Sequence, residues 1–167
     1  MVRMKRAVVV VAILAAMQVL SGCGDQQETM GVMGAMISHT DCKALSRSAS
    51  AAAANQDCLV WQYNGQDTIQ INHVNAGFNC CPGELSADIT AENKVITIRE
   101  KEREAGCSCL CLFDLTYQFQ NLEPGRYTIQ VVEPYIQASD PKLEFTVDLS
   151  AQPSGQYCVT RTHYPWE

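Results

Sequence analysis

Three cysteines at alternate positions have the clearest chemical capacity in this chain. Cys107, Cys109 and Cys111 lie in GCSCLCLFDL, residues 106–115, which continues into an apolar stretch typical of a β-strand. Thiolates spaced in this way could bind a soft metal ion, take part in thiol–disulfide exchange, or form structural disulfide bonds. The direction of the side chains and the cellular compartment decide between these three roles.

The alternation of the segment predicts that all three cysteines point into the core. Side chains two residues apart share one face of a strand, so the cysteines lie in phase with Phe113 and with the apolar residues that follow it. Neighbours on one face are about 6.6 Å apart along a strand, near the upper limit for Cα atoms joined by a disulfide. Their disulfide partners should therefore come from elsewhere in the chain.

The N-terminal residues predict export and lipid attachment. Arg3, Lys5 and Arg6 precede a short apolar stretch, and residues 20–23 read LSGC. This segment resembles the lipobox of bacterial lipoproteins, which implies that a signal peptide, residues 1–22, is cleaved and that Cys23 carries the lipid, including palmitate. The lipid is then the membrane anchor. Gly24 follows the anchor, and by the same resemblance the outer membrane, facing the periplasm, is the expected location.

The remaining cysteines are even in number, as expected for disulfides in an oxidising compartment. Eight cysteines allow 105 pairings, so spacing alone does not choose among them. The favoured pairing joins Cys42 to Cys58, connects Cys80 and Cys81 to the Cys107–Cys111 segment, and gives its third cysteine to Cys158. The disulfide candidates are Cys42, Cys58, Cys80, Cys81, Cys107, Cys109, Cys111 and Cys158.

A metal site is the main alternative for these thiols. Soft thiolates select Cu(I) or zinc, and His73 is in phase with Ile69 and Ile71, so it also points inward. The ligands would be His73, Cys80, Cys81, Cys107, Cys109 and Cys111. The spacing differs from that of structural zinc sites, and an inward histidine is commonly hydrogen-bonded within a core. The favoured prediction therefore has no cofactor apart from the lipid.

Redox and other catalytic functions have weaker support. No CxxC motif opens a helix, and the adjacent Cys80 and Cys81 are explained by partners on opposite sides. No GxSxG, HExxH or Gly-rich phosphate loop is present. The mixed charges of residues 99–104 indicate a solvated loop or strand end. The chain is therefore predicted not to be an enzyme.

The pattern from Leu59 onward predicts an all-β domain. About eight short alternating stretches are separated by turn signals such as Asn64-Gly65, which favours an antiparallel β-sandwich of the immunoglobulin-like kind, stapled by disulfides. Residues 57–167 form this domain. Residues 23–56 are rich in Gly, Met and Ala and are interpreted as the lipidated cysteine followed by a tether with a short helix, capped by Thr40 or Asp41.

Charge and composition limit the partners. Removing residues 1–22 removes three of the 12 Lys and Arg and none of the 18 Asp and Glu, so the net charge changes from −6 to −9. An acidic domain without a basic stripe argues against nucleic acid and against electrostatic docking on anionic lipid. The membrane, through the lipid, and a protein of the cell envelope are the expected partners.

Three segments add a second resemblance. HVNAGFNCC, the CxCxCLFDL run and LEPGRYTIQV are similar to segments of small cysteine-rich secreted or lipid-anchored bacterial proteins of unknown function. That resemblance implies no activity. The expected role is an interaction or structural module of the cell envelope. Its candidate contact residues are Asn75, Phe78, Asn79 and Trp166, with the alternative that Phe78 and Trp166 fill the rim of the core.

Overall fold

The computed structural model describes residues 31–43, 52–103 and 106–162. Nine β-strands lie within these ranges. They are β1 (Met33–His39), β2 (Gln56–Tyr63), β3 (Ile69–Asn79), β4 (Leu85–Glu92), β5 (Val95–Glu102), β6 (Leu110–Gln120), β7 (Arg126–Val132), β8 (Glu144–Asp148) and β9 (Ser154–Thr160).

The strands form two sheets that pack face to face. One sheet has five strands in the order β1-β6-β3-β2-β9, and the other has four in the order β4-β5-β7-β8. The predicted disulfide-stapled β-sandwich is confirmed. One pair, β5 with β7, is parallel, because the chain crosses to the five-stranded sheet as β6 and returns before forming β7.

Tight turns connect two hairpins, and the first lies at the predicted Asn64-Gly65. Gly65 has φ of 82°, and Asn93 and Lys94 have φ of 51° and 63°. Positive φ at both Asn93 and Lys94 is the backbone of a type I′ turn, whose twist matches that of the strands on either side. The side-chain oxygen of Asn64 accepts hydrogen bonds from the backbone N–H groups of the next residues, 66–68, and fixes the first turn.

The core lies between the sheets and follows the predicted alternation. In β6, the buried residues are Cys111, Phe113, Leu115, Tyr117 and Phe119. Across from them, β5 and β7 bury Ile96, Ile98, Tyr127, Ile129 and Val131. Each large side chain removed from water contributes about 1.5–3 kcal/mol. The outward residues of the same strands are polar or half-buried, as expected for a two-layer sandwich.

The interpretation of residues 23–56 as a tether is wrong for Met33–His39. These residues form β1, which pairs with β6 at the edge of the five-stranded sheet. Gly34 permits this close packing, because a Cβ at this position would lie 2.6 Å from the ring of Phe119 and 2.7 Å from Ile89. Met36 packs against the core. The Gly- and Met-rich composition therefore reflects a close approach of two sheets, and the sandwich begins before residue 57.

Several sequence predictions fall outside the described residues. They include the signal peptide, Cys23, most of the predicted helix (residues 44–51) and Trp166. The described residues contain no helix, and Thr40 caps none: its backbone N–H donates to the carbonyl of Asp114 on β6, with N and O 2.9 Å apart.

Candidate functional site

Four disulfides join all eight cysteines of the described residues. The pairs are Cys42–Cys111, Cys58–Cys158, Cys80–Cys109 and Cys81–Cys107. The expected link from the Cys80-Cys81 pair to the CxCxC segment is confirmed. The other two predicted pairings are wrong.

The two wrong pairings have a topological cause. Cys58 and Cys158 lie directly opposite each other on the neighbouring strands β2 and β9, with Cα atoms 4.1 Å apart. Cys42 follows β1, which lies beside β6 and therefore beside Cys111. Neither adjacency can be derived from spacing along the chain.

The inward direction predicted for the three CxCxC cysteines holds for one of them. Cys111 is in β6 and is buried, but β6 begins at Leu110, so Cys107 and Cys109 precede the strand. Cys107 is half-buried and Cys109 is exposed. The alternation of a strand does not extend into the loop before it, which explains the error.

These disulfides remove the donors of the predicted cysteine metal site. All five of its cysteines are oxidised, whereas a metal ion requires thiolates. His73 faces the core as predicted, but its partners are carboxylates: Nε2 lies 2.6 Å from Asp57 and Nδ1 lies 2.6 Å from Glu100. That cysteine–histidine cluster is not assembled in this structure.

The predicted contact residues of the AGFN segment are buried. Phe78 is 0% exposed and packs edge-to-face on Phe113, with ring centroids 5.9 Å apart. Asn75 and Asn79 are 2% and 6% exposed. A bulge at Asn75, which has φ of 69°, shifts the register so that Ala76 and Phe78 face the core. The prediction of a contact loop is therefore wrong for these three residues, and the alternative that placed Phe78 in the core is confirmed.

The most unusual feature of the core is a buried charge cluster. Arg161, on the inward face just after β9, donates to Asp57 through Nε at 2.9 Å and Nη2 at 2.5 Å. The same Nη2 lies 2.6 Å from Glu133. The hydroxyl of Tyr117 donates to Glu100 at 2.7 Å. The members are Asp57, His73, Glu100, Tyr117, Glu133 and Arg161, and this set is called the charge cluster below.

The cluster fixes the protonation of its members. Burial opposes ionisation of His73, but the carboxylates of Glu100 and Asp57 outweigh it and raise the pKa of His73 well above 6.5. Burial also raises the pKa of Asp57, yet the net shift is downward because His73 and Arg161 stabilise its carboxylate. Burial and the nearby Asp57 raise the pKa of Glu133 to about 9.

With these protonation states, the positive and negative charges within the cluster balance. His73 is an imidazolium that donates to a carboxylate on each side, and Asp57 is ionised. The raised pKa of Glu133, about 9, keeps its carboxyl protonated at neutral pH, so that it can donate to Asp57. Oε1 of Glu133 and Oε2 of Glu100 have no hydrogen-bond partner among the described residues. Balanced charges and mutual hydrogen bonds are the condition for a stable buried ionic group.

The cluster is suited to structure and not to metal binding or catalysis. The donor atoms of Asp57, His73 and Glu133 lie within 4.8 Å of one another, a spacing that a cation could bridge. The guanidinium of Arg161 already supplies that cation, since its Nη2 contacts both carboxylates. Both ring nitrogens of His73 are engaged, and its side chain is 0% exposed.

The sequence does carry a signal for this cluster: its charged residues occupy inward positions in the alternation of their strands. Glu100, Glu133 and Arg161 each continue an alternating series of buried residues, as with Ile96 and Ile98 before Glu100. The interpretation of residues 99–104 as a solvated loop or strand end is wrong for Glu100. A charged residue in phase with a buried series is the pattern that indicates such a cluster.

The outer face of the five-stranded sheet has a distinctive composition. Its central side chains are amides, hydroxyls and one valine. They are Val60, Gln62, Gln70, Asn72, Thr116, Gln118, Gln120, Ser154 and Gln156, and this set is called the amide face below. Three depressions, of about 550, 230 and 210 Å³, lie on it or at its β1 edge. The outer face of the four-stranded sheet instead carries charges such as Asp88, Arg99 and Lys101.

Comparisons with known proteins found no matching family model, no similar curated protein and no similar solved structure. Among the described residues, no helix has the length and apolar character needed to cross a bilayer.

Proposed function

We propose that this protein is a non-enzymatic lipoprotein of the bacterial cell envelope. A lipid on Cys23 anchors it to the outer membrane, where it faces the periplasm and binds a protein partner. The LSGC sequence at residues 20–23 supports the anchor. The disulfides support an oxidising compartment, since such bonds are rare in the cytosol. Eight of the nine cysteines are used in those bonds, and the ninth is the one in the lipobox-like sequence.

The anchor can be tested by labelling and fractionation. The full chain is expressed in a Gram-negative host supplied with a radiolabelled or alkyne fatty acid. We expect label on the wild-type protein and its recovery with outer membranes, and Cys23→Ser should abolish both. Cys109→Ser, which also removes one cysteine, is the matched control and should keep the label. Unlabelled wild-type protein, or label that persists in C23S, would contradict the proposal.

The observation that carries the binding role is the amide face. The chain has net charge −6, yet the centre of this face consists of uncharged residues. Cores of protein–protein interfaces are depleted in charged residues relative to the remaining surface. Amide and hydroxyl groups can each donate and accept hydrogen bonds, and they lose less on desolvation than charged groups do. At its edge, Met33 and Ile37 on β1 are 53% and 51% exposed and add apolar contact area.

Site-specific photocrosslinking in cells tests this role. A photoreactive residue is placed at Gln70 or Gln118 on the amide face, or at Thr90 or Thr128 on the outer face of the four-stranded sheet as the control. We expect a defined protein adduct from the first pair and none from the second. A second change, Gln118→Lys, should reduce the adduct formed at Gln70 without lowering the melting temperature. Equal adducts from both faces would refute the assignment.

A further inference from the structure

A third group of polar side chains lies outside the charge cluster and the amide face. Lys43 Nζ donates to the side-chain oxygen of Asn75 at 2.9 Å, and the same nitrogen contacts the carboxylate of Asp114. The three residues come from different places: the segment after β1, the bulge of β3 and the middle of β6. An amine, a carboxamide and a carboxylate thus meet at one point.

The backbone holds each of the three groups in place. The N–H of Lys43 donates to the carbonyl of Leu112 at 2.8 Å, and the adjacent Cys42 is bonded to Cys111 on the same strand. The N–H of Asn75 donates to the Asp114 carboxylate at 3.0 Å. Such positioning lowers the entropic part of a barrier, because the reacting groups do not have to find each other.

The carboxamide of Asn75 is held with its oxygen towards Lys43. Its Nδ2 donates to the carbonyls of Ala53 at 3.0 Å and Gln56 at 2.6 Å, which leaves Oδ1 facing Lys43. A nitrogen at hydrogen-bond distance from an amide oxygen lies about 3–4 Å from the amide carbon, since the C=O bond is about 1.2 Å long. Asn75 is 2% exposed, so water is largely excluded from the amide.

We propose that Lys43 and Asn75 become joined by an intramolecular isopeptide bond. The ammonium of Lys43 gives one proton to Asp114, and the resulting amine attacks Cγ of Asn75 and forms a C–N bond. Asp114 returns that proton to Nδ2, the bond from Cγ to Nδ2 breaks, and Nδ2 leaves as ammonia, which takes up the second proton that Nζ loses. Asp114 thus acts as base and then as acid. One amide replaces another, and no oxidant or cofactor is consumed.

The bond would reinforce the attachment of the segment after β1 to the five-stranded sheet. It would tie the segment after β1 to β3 next to the Cys42–Cys111 disulfide, and unlike that disulfide it would survive reduction. This inference concerns a modification of the chain itself and goes beyond the proposed binding role.

Peptide mapping of the wild-type chain tests for the bond between Lys43 and Asn75. The full chain is purified, reduced, alkylated, and digested with trypsin and a glutamate-specific protease. Without the bond, Lys43 ends a linear peptide of residues 29–43, and Asn75 lies in a second peptide of residues 48–84. With the bond, trypsin cannot cleave after Lys43, and residues 29–47 and 48–84 form one branched peptide, lighter by one ammonia than its parts.

The branched peptide, with fragment ions that place the junction at Lys43 and Asn75, is the expected result. Full recovery of peptide 29–43 would overturn the proposal. Loss of ammonia within a linear 48–84 peptide would also overturn it, because that result indicates cyclisation of Asn75 alone. Lys43→Arg keeps the charge and should abolish the branch. Asp114→Asn should also abolish it, and a branch that persists in D114N would overturn the role given to Asp114.

Discussion

Arg161 and Asp57 are separated by 104 residues in sequence and are joined by two hydrogen bonds inside the core, from Nε at 2.9 Å and Nη2 at 2.5 Å. Neither side chain is exposed to solvent. This pair connects the segment after β9 to β2, and through Glu133 it reaches the end of β7. The two sheets of the sandwich are therefore joined by a buried charge network as well as by apolar packing.

Removing the cation of this pair should strongly destabilise the protein. Arg161→Met leaves the carboxyl groups of Asp57 and Glu133 buried without the guanidinium that donates to both. Breaking a buried ion pair from one side typically costs about 3–5 kcal/mol, and we expect a loss of this size in the free energy of unfolding from urea titration. Arg99→Met, at an exposed position on β5, is the control and should change it by less than about 0.5 kcal/mol. A loss below about 1 kcal/mol in R161M would contradict this account of the cluster.

The charge cluster should also make stability fall as pH rises. Glu133 has its pKa raised from 4.5 to about 9, and the pKa of His73 is raised above 6.5. Above pH 4.5, these two groups therefore bind more protons in the folded protein than in the unfolded chain. The Glu133 contribution is complete below pH 4.5 and is lost as pH rises towards 9. The contribution of His73 begins to fall above pH 6.5. Each extra proton gives a slope of up to about 1.4 kcal/mol per pH unit.

Glu133→Gln removes the titration of Glu133 and leaves that of His73 in place. The amide resembles the protonated acid, can still donate towards Asp57 and accept from Arg161, and does not titrate. We expect E133Q to be more stable than the wild type at alkaline pH and to show a shallower decline of the free energy of unfolding between about pH 5 and pH 9. Glu144→Gln, at an exposed position on β8, should leave the slope unchanged. An E133Q slope equal to that of the wild type would disprove the role of this proton.

The long-range disulfide should contribute more stability than the shorter ones. Cys58–Cys158 closes a sequence separation of 100 residues, and Cys80–Cys109 closes one of 29. Loss of a native disulfide typically costs about 2–5 kcal/mol, and the loop-entropy model assigns about 1 kcal/mol more to the longer loop. Urea unfolding of C58A/C158A and of C80A/C109A measures the difference. Non-reducing peptide mapping of the wild type should recover Cys58 with Cys158, and recovery of Cys58 with Cys42 would contradict the structure.

The strand pattern is determined locally and could be predicted. The alternation in β6 from Cys111 to Phe119 and the turns at Gly65 and Asn93 depend on residues close to one another in the chain. Their chemistry alone indicates which segments form strands and which face of each strand is buried. The prediction failed where composition was ambiguous, as at Met33–His39, because glycine and methionine suit both a flexible linker and a close contact between sheets.

Only the tertiary structure decided which distant residues meet. Strand order places Cys58 opposite Cys158, and it brings Lys43, Asn75 and Asp114 to one point. It also encloses Asp57, Glu133 and Arg161 in one dry space, where the charges of Asp57 and Arg161 are tolerated because they neutralise each other. Periodicity shows that a side chain points inward but not what it meets there. The pairing of strands far apart in sequence is set by packing across the whole sandwich, and the disulfides, the charge cluster and the amide face all follow from that pairing.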